Sequence, residues 1–239
     1  MTRQESWMQW MLPFPRGIEV REGALKIDGA TRIALAPGSG SLVRKGAELL
    51  RQDLKRWRKL DVALATDGKA AGASGRGTTI AIGHPSRSPL VREALEKAPT
   101  KDVDGLDRPH VGSLTRVEPP AEGFLIRTAG KVCAVAGADD AGTLHGVQTL
   151  RQMLRGTDGR SIPNVNIWDW PVFPVRAMHL MCPRRANLRL MEQVVETLAL
   201  WKFNTLILSF EYVPNFPFEG FEALADPKET LSRREHAAF

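Results

Sequence analysis

IPNVNIWDWPVFPVRAMHLMCPRRANLRLMEQVVETLALWKFNTLILSF, residues 162–210, divides the chain in two. Pro163, Pro171 and Pro174 punctuate its first part, where proline removes backbone donors and fixes φ, so residues 161–174 read as a linker. Residues 175–181 then form a short strand-like run. From Asn187, a candidate cap, Leu188, Met191, Val195 and Leu198 recur at helical spacing up to Lys202. Leu206, Ile207 and Leu208 are apolar on consecutive positions, the pattern of a parallel strand covered on both faces. Strand, helix and parallel strand make a βαβ unit, whose crossover is right-handed in nearly every known case. The linker is therefore a domain boundary, with one domain over residues 1–160 and the start of another over 175–239.

The first domain reads as an α/β sheet covered by helices. Residues 17–36 alternate apolar and polar side chains around Gly23 and Gly29, giving two or three short strands joined by tight turns. Ser41 is a candidate N-cap for a helix over 42–59, with Leu42, Val43, Ala47, Leu50, Leu54 and Trp57 on one stripe. Strands follow at 62–65 and 78–83. Between them lies a Gly/Ala/Ser-rich loop, and Ser88-Pro89 opens a short helix ending near Lys97. Residues 100–120, rich in proline and acidic groups, read as loop. Residues 123–128 and 132–137 form a hairpin around Ala129-Gly130. Asp139 or Asp140 then caps a helix running to Arg155, with Gly156 as its stop. Beyond Phe210, residues 212–227 read as a long βα loop, and Ser232-Arg233-Arg234-Glu235 fits a capping box.

Composition narrows the function. With 43% apolar and 25% charged residues and no apolar run of bilayer length, the chain has the make-up of a globular protein and no membrane partner is expected. The net charge of +6 comes from dispersed residues. Its densest run, RQDLKRWRK at 51–59, sits on a helix with an apolar face and reads as a solvated surface, so no nucleic-acid partner is expected. The start of the chain has no basic segment leading into an apolar one, from which a cytoplasmic location is expected. Cys133 and Cys182 fall in different domains without C-x-x-C partners and read as free thiols, Cys133 in an apolar strand. The five histidines, His84, His110, His145, His179 and His236, show no metal-ligand spacing, and no H-E-x-x-H occurs. Gly38-Ser39-Gly40 lacks the rest of a dinucleotide fingerprint. Neither a metal site nor a cofactor is expected.

Three groups of residues carry a family resemblance. Asp169, Pro171, Phe173, Pro174 and Arg176 make a D-x-P-x-F-P-x-R segment; Lys202-Phe203-Asn204 makes a K-x-N; and Gly142-Thr143-Leu144-His145-Gly146-Val147-Gln148-Thr149-Leu150 precedes both. In that order they resemble the domain junction of family 20 glycoside hydrolases, the β-N-acetylhexosaminidases. The resemblance covers the chain from about Leu12 onward. It implies a zincin-like α/β first domain, the label concerning shape and not zinc, followed by a catalytic (β/α)8 TIM barrel. A closed barrel needs about 200–250 residues, and roughly 65 follow Pro174, so a truncated barrel start of at most two strands is expected.

The resemblance also implies a chemistry. In the family the sugar's own 2-acetamido oxygen attacks the anomeric carbon, while an adjacent Asp-Glu pair on a later strand orients the acetamide and protonates the leaving oxygen. No residue of this chain takes either role, so no catalytic residue is assigned. Two substrate-binding candidates remain. Arg176 matches the arginine that opens the family's first barrel strand and donates to sugar hydroxyls; the other reading of it is a salt bridge at the domain seam. Glu211 ends the second strand, where it either faces a barrel mouth or is a solvated loop carboxylate. The family continues its arginine with Gly, three apolar residues and Asp, and often places histidine in strand two. Here Ala177 and Met181 take the first two positions and Ile207, Leu208 and Ser209 the last. The expected function is thus the N-terminal portion of a β-N-acetylhexosaminidase-like enzyme with an N-acetylhexosaminide substrate, this stretch alone being inactive. A non-catalytic α/β binding or assembly module, self-associating through open strands, is the alternative, and a relative of family 84 or family 67 hydrolases is another.

Overall fold

The computed structural model describes residues 6–67, 77–97, 119–209 and, near the end, 219–220, 223, 228, 230–232 and 234–235. Two compact units divide between Val172 and Phe173. The first holds strands β1 (Gly17–Lys26), β2 (Arg32–Leu35), β3 (Ala63–Thr66), β4 (Thr79–Ile82), β5 (Phe124–Ala129), β6 (Val132–Gly137) and β7 (Ser161–Asp169). Its helices are α1 (Ser41–Arg58), α2 (Pro89–Lys97) and α3 (Asp140–Gly156). The strands form one mixed sheet in the order β1-β7-β5-β6-β4-β2-β3. The β3, β2, β4 and β6 neighbours are parallel, whereas β6, β5, β7 and β1 are antiparallel.

Alternation along the strands gives the sheet two unlike faces. Ile33, Ile80, Ile82, Phe124, Ile126, Val135, Val165 and Ile167 point to one side and pack with Leu50, Leu54, Val147, Leu150 and Leu154 of α1 and α3. The opposite face carries Ala81, Ala134 and Ala136, small enough for α2 to settle on it through Val91 and Ala94. α1 and α3 also touch each other. Arg151 Nε donates to Asp53 Oδ2 at 2.6 Å with both side chains nearly buried, and its Nη1 donates to Gln148 Oε1 at 2.7 Å.

The helix starts have separate causes. Asp139 accepts from Gly142 N at 2.7 Å and caps α3, as the sequence suggests. Gly142 also lets the helix approach β5, since a Cβ there would lie 2.2 Å from the Gly123 carbonyl oxygen. Ser88 Oγ accepts from Val91 N at 3.1 Å and donates to the buried Asp67 Oδ2 at 2.5 Å, fixing α2. The expectation for Ser41 is corrected: Gly40 is the α1 N-cap, with no side-chain bond, and Ser41 is already helical. Cys133 is fully buried, and loss of solvent pushes its thiol up to about 12, so it is core and not a nucleophile.

The linker reading of 161–174 is also corrected. Its first nine residues are β7, hydrogen-bonded to β1 on one side and β5 on the other. The prolines misled because β5 pairs only with residues 166–169, leaving Pro163 opposite Ala24 of β1 alone. Proline is tolerated where a strand lacks one ladder. Beside it β1 bulges: Val20 pairs with Val165 and Ala24 with Pro163, so three residues of β1 oppose one of β7. Gly23 takes φ +85° there, which a side chain rarely adopts. The strand expected to end near Gly23 therefore runs on through it.

Because β7 sits between two strands, a fragment ending at Asp158 should fail to fold cooperatively, whereas one ending at Val172 should melt as a single unit. Limited proteolysis should accordingly leave a resistant fragment ending between Trp170 and Pro174. An early, stable cut at Gly159 or Arg160 would refute this dependence.

Candidate functional site

The second unit builds a βαβ element from β8 (Ala177–Met181), a 3₁₀ turn at Arg185–Asn187, α4 (Leu188–Leu200) and β9 (Thr205–Ser209). β8 and β9 are parallel and in register from Ala177↔Thr205 to Met181↔Ser209. Met178, Leu180, Leu206 and Leu208 are half-buried, as expected of the face under α4, whose Met191 and Leu198 are buried. Ala177, His179, Met181 and Ile207 are exposed on the other face.

Arg176 immediately precedes β8, and its guanidinium is occupied locally. Nε donates to the Lys202 carbonyl at 2.7 Å and Nη1 to the Phe173 carbonyl at 2.8 Å. Its backbone joins the same knot: its N–H donates to Asn204 Oδ1 at 2.9 Å, and its carbonyl accepts from Asn204 N at 3.1 Å. Asn204 Nδ2 closes the ring by donating to the Pro174 carbonyl at 2.8 Å.

The K-x-N stretch supplies the geometry for this knot. Lys202 takes φ +66° at the end of α4. Its N–H donates to Ala199 O at 3.1 Å and that of Phe203 to Leu198 O at 3.0 Å, the paired bonds of a Schellman turn. That turn aims the Lys202 carbonyl at Arg176. Phe173, Pro174 and Arg176 of the D-x-P-x-F-P-x-R segment and Lys202 and Asn204 of the K-x-N thus meet at one place, the amino ends of β8 and β9.

Working groups of a βα barrel sit at the other end of its strands. Five strand residues at about 3.3 Å each put the Arg176 backbone roughly 16 Å from the carboxyl end of β8. At that end Cys182 N donates to Ser209 O at 2.9 Å, and Ser209 Oγ lies 3.4 Å from Met181 Sδ. Neither side chain is charged. Glu211, the second candidate, lies outside the described residues. The sequence reading missed the Met181–Ser209 neighbourhood, which only register could reveal.

The capping box expected at 232–235 is present. Ser232 N donates to Glu235 Oε2 at 2.8 Å and Glu235 N to Ser232 Oγ at 3.2 Å. The Ser232 bonds, first the backbone and then the hydroxyl, hold the Glu235 carboxyl below its usual range, and Arg185 Nη2 adds a contact at 2.9 Å. The Arg185–Glu235 contact ties the turn after β8 to residues 230–235.

The sequence profile of glycosyl hydrolase family 20, domain 2, matches residues 10–170. This chain belongs to glycosyl hydrolase family 20. A comparison with curated proteins finds no match. Among solved structures, the β-N-acetylhexosaminidase of Streptomyces coelicolor A3(2) is similar over 97% of this chain and 43% of its own, with TM-score 0.66 and 15% identity. The β-N-acetylhexosaminidase of Bacteroides fragilis NCTC 9343 is similar over 94% of this chain and 40% of its own, with TM-score 0.61 and 18% identity. For the exo-β-N-acetylglucosaminidase of Vibrio harveyi the shares are 91% and 28%, with TM-score 0.59 and 17% identity. The chain spans less than half the length of these structures.

Removing members of the knot should loosen the second unit alone. Asn204→Ala and Arg176→Lys should each cost about 1–3 kcal/mol of local stability, since each deletes two or more hydrogen bonds or breaks a planar fork. Hydrogen exchange should speed up for amides of β8 and β9 and stay unchanged for β1 and β7. Unchanged protection at β9 would sink this account of Asn204.

Proposed function

We propose that these residues are the N-terminal portion of a β-N-acetylhexosaminidase, its domain 2 followed by the opening βαβ unit of a catalytic (β/α)8 barrel. The collinear order carries the reading: a family 20 domain 2 match through residue 170 runs directly into a parallel β8-α4-β9 unit. The substrate class is a terminal N-acetylhexosaminide, as the names of the similar structures suggest. In this reading Arg176 acts as a positioning residue, setting the amino end of β8. Direct contact between Arg176 and sugar hydroxyls would require releasing the Lys202 and Phe173 carbonyls.

These 239 residues alone should not turn over a chromogenic N-acetylglucosaminide above the buffer rate. Cleavage needs a positioned general acid and a group holding the acetamide, and binding without them does not lower the chemical barrier. Turnover that vanishes on Glu211→Gln would place the active site here after all. The DNA downstream of codon 239 tests the wider reading: further in-frame βα units carrying an adjacent Asp-Glu pair support it, and unrelated sequence counts against it.

A second expectation comes from the exposed face of β8 and β9, where Met181 is 51% and Ile207 49% accessible. Both strands also have an unpaired edge among the described residues. The chain should therefore self-associate as concentration rises, measurable by light scattering after size exclusion. A strict monomer with little binding of a hydrophobic dye would exclude this.

A further inference from the structure

The bulge in β1 borders a cavity of about 590 Å³, within the usual span of ligand pockets, about 300–1,000 Å³. It lies wholly in the first unit. Trp7, Val20 and Pro163 give it apolar walls, and Arg21 and Glu22 stand on the three-residue excursion that the bulge pushes out of the ladder. Bulges re-aim side chains in this way and recur beside binding sites.

Arg21 is held ready. Its Nη2 donates to Thr128 O at 2.5 Å and Thr128 Oγ1 at 3.0 Å, with Val165 O at 3.5 Å. Those contacts anchor the guanidinium to β5 and β7 through one nitrogen. Nε is buried without an acceptor, and Nη1 has none among the described residues. Because Nε is sealed from solvent, Nη1 is the guanidinium donor left for a ligand, and a guanidinium already fixed in place loses little freedom on binding. Glu22 next to it is exposed, and its carboxylate holds no hydrogen bond or ion pair among the described residues.

We propose that this cavity is a binding site for a neutral pyranose sugar, separate from the β8–β9 strand ends. Sugar hydroxyls both donate and accept, so they suit an adjacent guanidinium and carboxylate, while the C–H face of the ring suits Trp7, Val20 and Pro163. One cation beside one anion gives no net charge with which to hold an anionic ligand.

N,N′-diacetylchitobiose titrated into the 15N-labelled chain tests the site. The expected result is saturable shifts at the amides of residues 20–24 and at the Trp7 indole. Glu22→Ala should weaken binding about tenfold, the loss of a hydrogen bond to a charged group. Val20→Glu should abolish binding by filling the wall with an unpaired charge. Both positions are exposed, so the melting temperature should stay near that of the parent. No shift at residues 20–24, or equal binding by Val20→Glu, overturns the site. Shifts confined to residues 177–209 would overturn it while leaving the hydrolase reading intact. Shifts at the bulge together with unrelated sequence beyond codon 239 would keep the cavity and remove that reading.

Discussion

The double pairing of β7 is the constraint on which the first unit depends. Its residues 161–169 bond β1 over Gly17–Lys26 and β5 over 124–127, so the sheet has no continuous path from β1 to β5 without it. The β1–β7 contacts join chain segments more than about 130 residues apart, and loop-closure entropy must be overcome before they return anything. The sheet is therefore complete only when the segment that leads out of the unit is paired. That explains why the boundary falls at Val172, immediately after β7, and why proline-rich sequence there does not mean a free linker.

The unequal faces of the sheet follow from a second constraint, residue size. Branched and aromatic side chains on one face fill the space between the strands and two long helices, which are themselves locked by the buried Asp53–Arg151 pair. Alanines on the opposite face leave room for the short helix α2. Arg127 lies on this second face, almost fully buried, with Nη1 donating to the Leu95 carbonyl at 2.9 Å near the end of α2. Desolvation lowers its pKa from the ordinary arginine range, and Glu19 opposes the shift. The buried charge is held by a helix-end carbonyl and by the nearby charge of Glu19, whose carboxylate accepts from Asn166 Nδ2 at 2.9 Å.

Much of this was legible in the sequence where period and cap coincide. The α1 stripe from Val43 to Trp57 (Leu42, expected on it, is exposed), the β5–β6 hairpin, the Asp139 cap and the Ser232–Glu235 box all depend on neighbours a few residues apart, which a linear pattern records. Three features were hidden because their partners are remote. β7 looked like linker, since nothing local tells that Pro163 faces only one ladder. The β1 bulge was read as a turn, since Gly23 supplies the same positive φ to either. Arg176 was legible as an important arginine, yet its acceptors are backbone carbonyls, and those carry no sequence signature.

The Arg176–Asn204 knot also suggests why family-like letters persist at one end of the second unit and not at the other. At the amino ends of β8 and β9 the side chains of Arg176 and Asn204 are committed to the backbone of the neighbouring segment, so substitution there disturbs the start of the ladder. At the carboxyl ends Met181 and Ser209 touch only each other's side chains in the described contacts, 3.4 Å apart, and either can change without disturbing the ladder. A parallel pair clamped at its start leaves its finish free to vary, which is the division of labour that barrel strands show between stability and chemistry. Of the departures from the family pattern, Met181 and Ser209 fall side by side at that free end, whereas Ala177 opens β8 at the clamped one.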